Sequence, residues 1–122
     1  MKVHLVAAGK YHDIDFARLE LLKLLAEQPE LRTSVAANYA DADLIRQADL
    51  LITYTCDLVP EPAETEVLSE WLKAGGRWLA LHGTNSILHI AENGEVETPD
   101  TAPEFMELLG TQFTGHPPIG PY

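Results

Sequence analysis

Four short apolar runs, at residues 2–8, 31–37, 50–55 and 77–81, alternate with stretches patterned as helices, and that alternation leaves few folds open. The run at 2–8 is stopped by Gly9-Lys10 and suits a strand buried on both faces. A loop at 9–13 follows. Asp13 is a good N-cap for the helix after it, and Asp15 puts negative charge in the first turn. That helix is expected over 14–28, with Ile14, Ala17, Leu21, Leu24 and Leu25 on one face and Pro29 as its stop. Residues 31–37 have a different period: Leu31, Thr33, Val35 and Ala37 alternate with Arg32, Ser34 and Ala36, as in a half-exposed edge strand. Asp41 caps a short helix with Leu44, Ile45 and Ala48 inward. Residues 50–55 form the next buried strand, ending in Thr55-Cys56-Asp57.

Pro60-Glu61-Pro62 opens a third helix at 62–75, with Val67, Leu68, Trp71 and Leu72 as its apolar stripe and Glu64, Glu66 and Glu70 towards water. Gly75-Gly76 ends it. Residues 77–81 are the fourth strand, leading into His82-Gly83-Thr84-Asn85. Beyond it, 85–91 read as one or two helical turns and 92–101 as an acidic stretch with a turn at Asn93-Gly94. A helix is expected at 103–109, an extended segment at 111–114, and a Pro-rich end over 116–122. The whole pattern is that of an open parallel sheet with helices on both faces. Right-handed crossovers and the edge-like second strand give the order 2-1-3-4. Ligands in such sheets sit beyond the carboxyl ends of the strands, which selects the loops at 9–13, 55–60 and 82–86. The order also leaves 77–81 as an apolar edge, where Trp78, Leu79 and Leu81 need cover. That cover is expected from the segment after Thr101, with Phe113 beside the strand and His116 brought towards His82, or from a partner chain, or from residues absent here.

The chain's 122 residues make one domain. Eight Lys and Arg against 19 Asp and Glu give a net charge of −11, which excludes a phosphate-neutralising nucleic-acid face and docking on anionic membrane. No run approaches the roughly 20 apolar residues of a membrane span, and the N-terminal run is too short for a signal peptide. A single Cys excludes an intrachain disulfide framework, so a reducing, cytoplasmic setting is expected.

The loop after the fourth strand, Ala80-Leu81-His82-Gly83-Thr84, has the small flanking residues of a nucleophile elbow with His82 at its centre. The N–H groups of Gly83 and Thr84 would point into the cleft and hold an oxyanion, and a helix N-terminus there would favour a neutral imidazole. The plainer alternative for His82 is a hydrogen bond within the loop. His12 is an acid–base or binding candidate on the first loop, or simply an exposed histidine. Cys56 reads as a small buried residue, because Asp57 beside it raises a thiol pKa. Tyr54 and Asp57 are placed to line the cleft. His4 and His89 read as structural, and His116 as part of a rigid loop able to fold back to the cleft. A metal site of His12, His82, His116 and Asp57 lacks any short ligand spacing, so no metal is assigned. No G-x-G-x-x-G or Walker A sequence is present, and no cofactor is expected.

Several segments resemble one family. They are Gly9-Lys-Tyr-His12-Asp13, Ala48-Asp49-Leu-Leu-Ile-Thr-Tyr-Thr55, Gly75-Gly76-Arg-Trp-Leu-Ala-Leu-His82-Gly83 and Gly115-His116-Pro117. In this order they are similar to the ThuA-like (trehalose-utilisation) family of the class I glutamine amidotransferase-like superfamily. The resemblance implies a flavodoxin-like three-layer sandwich and a link to carbohydrate metabolism. It also implies that His82 fills the superfamily's cysteine position, so that the fold is shared and the chemistry is not. Family members continue past this point, so the single ThuA-like domain at 1–122 reads as a member lacking its C-terminal part.

The expected function is action on, or binding of, a sugar or oxidised sugar derivative, by a hydrolase or isomerase without a cysteine nucleophile. His82 and His12 would be catalytic, with Gly83, Thr84, Asn85, Tyr11, Thr55, Asp57 and His116 binding substrate. The alternatives are a non-catalytic ligand-binding or interaction domain and a metal-dependent hydrolase. The expected partners are a small sugar-like molecule and a second copy of the chain, with no nucleic acid and no membrane.

Overall fold

In the computed structural model, which describes residues 1–117, the four apolar runs become one parallel sheet. Its strands are β1 (Lys2–Gly9), β2 (Arg32–Ala36), β3 (Leu50–Cys56) and β4 (Arg77–Ala80), in the order β2-β1-β3-β4. The helices between them are α1 (Ile14–Ala26), α2 (Ala42–Gln47) and α3 (Pro62–Lys73). The chain continues through a two-stranded antiparallel ribbon, β5 (His89–Ile90) with β6 (Val96–Glu97), to α4 (Pro103–Leu109). The architecture is a flavodoxin-like α/β sandwich, with α1 on one face of the sheet and α2, α3 and α4 on the other.

Strand patterning decides the sheet order. β1 pairs with both β2 and β3, and its Val3, Leu5, Val6 and Ala7 are buried. β2 alternates, shows Arg32, Thr33 and Val35 to solvent, and lies at one edge. β4 forms the other edge. Its Trp78 is covered from the α4 side: the indole N–H donates to Thr53 Oγ1 at 2.9 Å and the ring lies 6.0 Å from Phe105. Its Leu79, on the α1 side, stays 47% exposed. The expected need for cover at this edge is therefore met on one face only.

The helix ends follow local chemistry. Asp13 Oδ1 accepts from Phe16 N–H at 3.0 Å, and Asp41 Oδ1 from Leu44 N–H at 3.0 Å, as N-caps do. Glu64 is not simply solvated, because its Oε2 accepts the Glu61 N–H at 2.8 Å in a capping box. Gly76 has Trp71 against it: a Cβ there would lie 2.2 Å from the indole, whose N–H donates to Ala48 O at 2.8 Å.

Four expectations are corrected. Residues 85–91 are not helical, because 82–85 form a tight turn and His89 enters the ribbon closed around Asn93-Gly94. His89 is exposed there and has no core role, while His4 is fully buried. Thr111 to Thr114 joins no strand. On α1, Leu22 packs against the sheet and Leu24 does not, being 60% exposed. The two residues flank the stripe centred on Leu21 and Leu25, and the helix rolls towards the Leu22 side. The expected Pro-rich end lies outside the described residues from 118 onward. Among the described residues, no helix is long and apolar enough to cross a membrane.

Candidate functional site

Loops at the carboxyl edge of β1, β3 and β4 meet, and tight backbone turns bring them together. Gly9 has φ +117° and lies so close to β3 that a Cβ would sit 2.0 Å from Cys56 O. Only glycine fits both the conformation and the space. Lys10 N–H then donates to Cys56 O at 2.9 Å, and Tyr11 turns the chain in the left-handed region at φ 66°. His12 follows, immediately before the Asp13 cap. Its ring centroid lies 4.8 Å from that of His82 and 6.3 Å from that of Tyr54. Tyr11, His12 and His82 are exposed, and Tyr54 is half-buried.

The loop after β4 is seated on β3 in the same manner. Gly83 has φ +84°, and a Cβ on it would lie 2.4 Å from Thr55 O. Its N–H has no hydrogen-bond partner among the described residues. The Thr84 N–H, by contrast, donates to Leu81 O at 3.1 Å, and the Thr84 hydroxyl pairs with Thr53 Oγ1 at 3.0 Å in the interior. Thr84 thus shapes the turn and offers the cleft no donor. With no helix starting here, no helix dipole acts on His82. Asn85 is half-buried. Its Nδ2 donates to Thr111 Oγ1 at 2.9 Å, and its carbonyl accepts from Phe113 N–H at 3.0 Å.

At the end of β3, Thr55 is fully buried and its Oγ1 lacks a partner among the described residues, as does the hydroxyl of buried Tyr39. Burial pushes the Tyr39 phenol well above its ordinary value, with Thr55 pulling the other way. Cys56 is 1% exposed, and burial first, then the Asp57 charge, raises its thiol pKa. Both effects disfavour the thiolate, the nucleophilic form. Asp57 has φ 53° and places its carboxylate between two loops: Oδ2 meets Lys10 Nζ at 2.8 Å and Oδ1 accepts from Leu88 N–H at 3.1 Å. The Asp57 hydrogen bond raises the Lys10 pKa.

A cavity of about 300 Å³ adjoins His82, with Gly83, Asn85, Leu109 and Thr111 in its wall. Leu109 and Thr111 carry no sequence signal for this site because they lie at and just past the end of α4, where no spacing ties them to His82. Lys10 ends the first strand in sequence, and its pairing with Asp57, 47 residues on, has no local signal. His116 is exposed, with its Nδ1 on Pro117 O at 2.8 Å and its ring 6.2 Å from Phe113. The segment carrying it touches the loop after β4 through Phe113 and Asn85. Among the described residues, no three His, Cys, Asp or Glu side chains are grouped to hold a metal ion. Comparison with protein-family models, with curated proteins and with solved structures gives no match to this chain.

Proposed function

We propose that this chain is a ThuA-like protein of carbohydrate metabolism that acts on a sugar or oxidised sugar derivative at the carboxyl edge of its sheet. The observation that carries this reading is the His12–His82 pair, with ring centroids 4.8 Å apart on the rim of the cleft. A neutral imidazole accepts a proton and its protonated neighbour donates one. Moving a proton between a carbon or hydroxyl and an adjacent oxygen of a polyol or keto-sugar needs one of each. The Gly83 N–H, next to His82 in sequence and without a partner among the described residues, would hold a substrate oxygen, and Asn85 and Thr111 give the adjoining cavity polar walls. At about 300 Å³ the cavity is at the small end of ligand pockets, which suits a molecule of monosaccharide size. The buried Cys56 supplies no alternative nucleophile.

The test is turnover and binding on a panel of aldoses, ketoses and keto-sugar derivatives. His82→Gln and His12→Gln are each expected to lower turnover by about 10²–10⁴-fold, with binding retained when read by saturation-transfer NMR. Wild-type protein that binds panel members, converts none and binds as well after either substitution would establish the non-catalytic ligand-binding domain instead.

A further inference from the structure

Asp57 stands out because its carboxylate ties together two loops, one through each oxygen. Its side chain is only 12% exposed, and both oxygens already hold protein groups from two different loops. Oδ2 holds Lys10 Nζ, two residues before His12. Oδ1 holds the Leu88 N–H. The Asp57 N–H donates to Ser86 O at 2.9 Å, and the Ser86 N–H in turn donates to Gly83 O at 2.9 Å, next to His82. These bonds require the left-handed backbone of Asp57, a conformation that is costly for a residue with a Cβ. The Cys56 carbonyl adds a contact to Lys10 N–H.

We propose that Asp57 is the positioning residue of the cleft: one carboxylate clamps the first and third loops to the end of β3 and thereby sets His12 against His82, without itself touching substrate. The proposal rests on reading His12 and His82 as the working pair, but its test measures the geometry of that pair and not turnover. A charged, short-armed acceptor suits the task. Asn keeps an acceptor for Leu88 and loses the charge on Lys10. Glu moves the carboxylate by a methylene and cannot hold both arms from the same backbone.

The experiment is solution NMR on the full chain with labelled histidine. In the wild type the His12 and His82 rings give a mutual nuclear Overhauser cross-peak. Asp57→Ala is expected to abolish it while methyl resonances of Ile45 and Leu68 in the core stay in place. Asp57→Asn and Lys10→Met each weaken it, and Asp57→Glu does not restore it. Reaction of Cys56 with a small disulfide reagent is the second measurement, because Gly9 and Lys10 lie against the Cys56 backbone and Gly83 against its Cβ. Lys10→Met leaves the Asp57 charge beside Cys56, so faster labelling in that variant reports loop opening and not an easier ionisation. Lys10 is 65% exposed, so its replacement does not threaten the core should Asp57→Ala fail to fold. An undiminished cross-peak and unchanged Cys56 labelling in folded Lys10→Met and Asp57→Asn would overturn the proposal. So would recovery of the full cross-peak by Asp57→Glu.

Discussion

On the face of the sheet covered by α2, α3 and α4, one buried cluster joins Val6, Tyr39, Ile45, Leu51, Val67, Leu68, Trp71, Ile87, Phe105 and Met106. On the face covered by α1, the buried cluster is Val3, Leu5, Ala7 and Ile52, and all four belong to the sheet. α1 has no buried residue of its own, whereas α3 has Thr65, Val67, Leu68 and Trp71. The outer side of α1 shows Phe16 at 63%, Leu19 at 52% and Leu24 at 60% exposure. Both helices have apolar spacing, so spacing alone announces a helix and the direction of its inner face. The depth of burial depends on how many neighbours close over that face, which here is several elements against one.

The comparison is sharpened most by paired truncations. Phe105→Ala removes a ring that packs on Tyr39 at 5.8 Å and on Trp78 at 6.0 Å, and is expected to cost about 3–5 kcal/mol. Leu22→Ala removes a half-buried side chain on the α1 face and should cost about 1 kcal/mol. Urea denaturation of the two variants checks both values, and equal losses would break the distinction between the faces.

The next effect is in pH. His4 sits on the well-packed face of β1, fully buried, with Nδ1 on Ser34 Oγ at 2.7 Å. Burial holds its imidazole below the ordinary value of 6.5, against an opposing pull from Asp41. Below pH 6.5 the unfolded chain binds a proton that the folded chain refuses, so this group's contribution falls as pH drops through 6.5 towards the folded pKa. Thermal melts between pH 7 and 5 should show a smaller acid-induced loss for His4→Gln than for the wild type. An identical slope would remove His4 from the account. The smallest effect is expected at Leu19→Gln, within about 0.5 kcal/mol, because the side chain faces solvent. A larger loss that grows with protein concentration, with sedimentation showing a dimer, would mean that a second copy covers the α1 face.

Much of the frame was legible because it rests on local chemistry. Asp13 and Asp41 announce their caps, and the difference in period between 2–8 and 31–37 separates a central strand from an edge. The carboxyl-edge loops followed from the strand order, and with them the meeting of His12 and His82. What stayed hidden depends on contacts between separate stretches of the chain. The roll of α1 that exchanges Leu24 for Leu22 is set by the sheet beneath it. The helical turns expected at 85–91 give way to a ribbon because His89 and Ile90 pair with Glu97 and Val96, eight and six residues on. The double attachment of Asp57 to Lys10 and Leu88 leaves no trace in spacing.

The order β2-β1-β3-β4 also has a consequence in time. The first strand of the chain lies inside the sheet, and a parallel neighbour can reach it only through a crossover, never through a local hairpin. β1 therefore needs Arg32–Ala36 for one side and Leu50–Cys56 for the other before both are closed. β4 joins last in sequence and touches only β3. His12 leaves the earliest strand and His82 the latest, so the two rings meet only when β1, β3 and β4 are joined. A chain that has paired β1 with β2 and β3 can hold much of its core and still have no imidazole pair, which makes that pair a marker of the docking of β4.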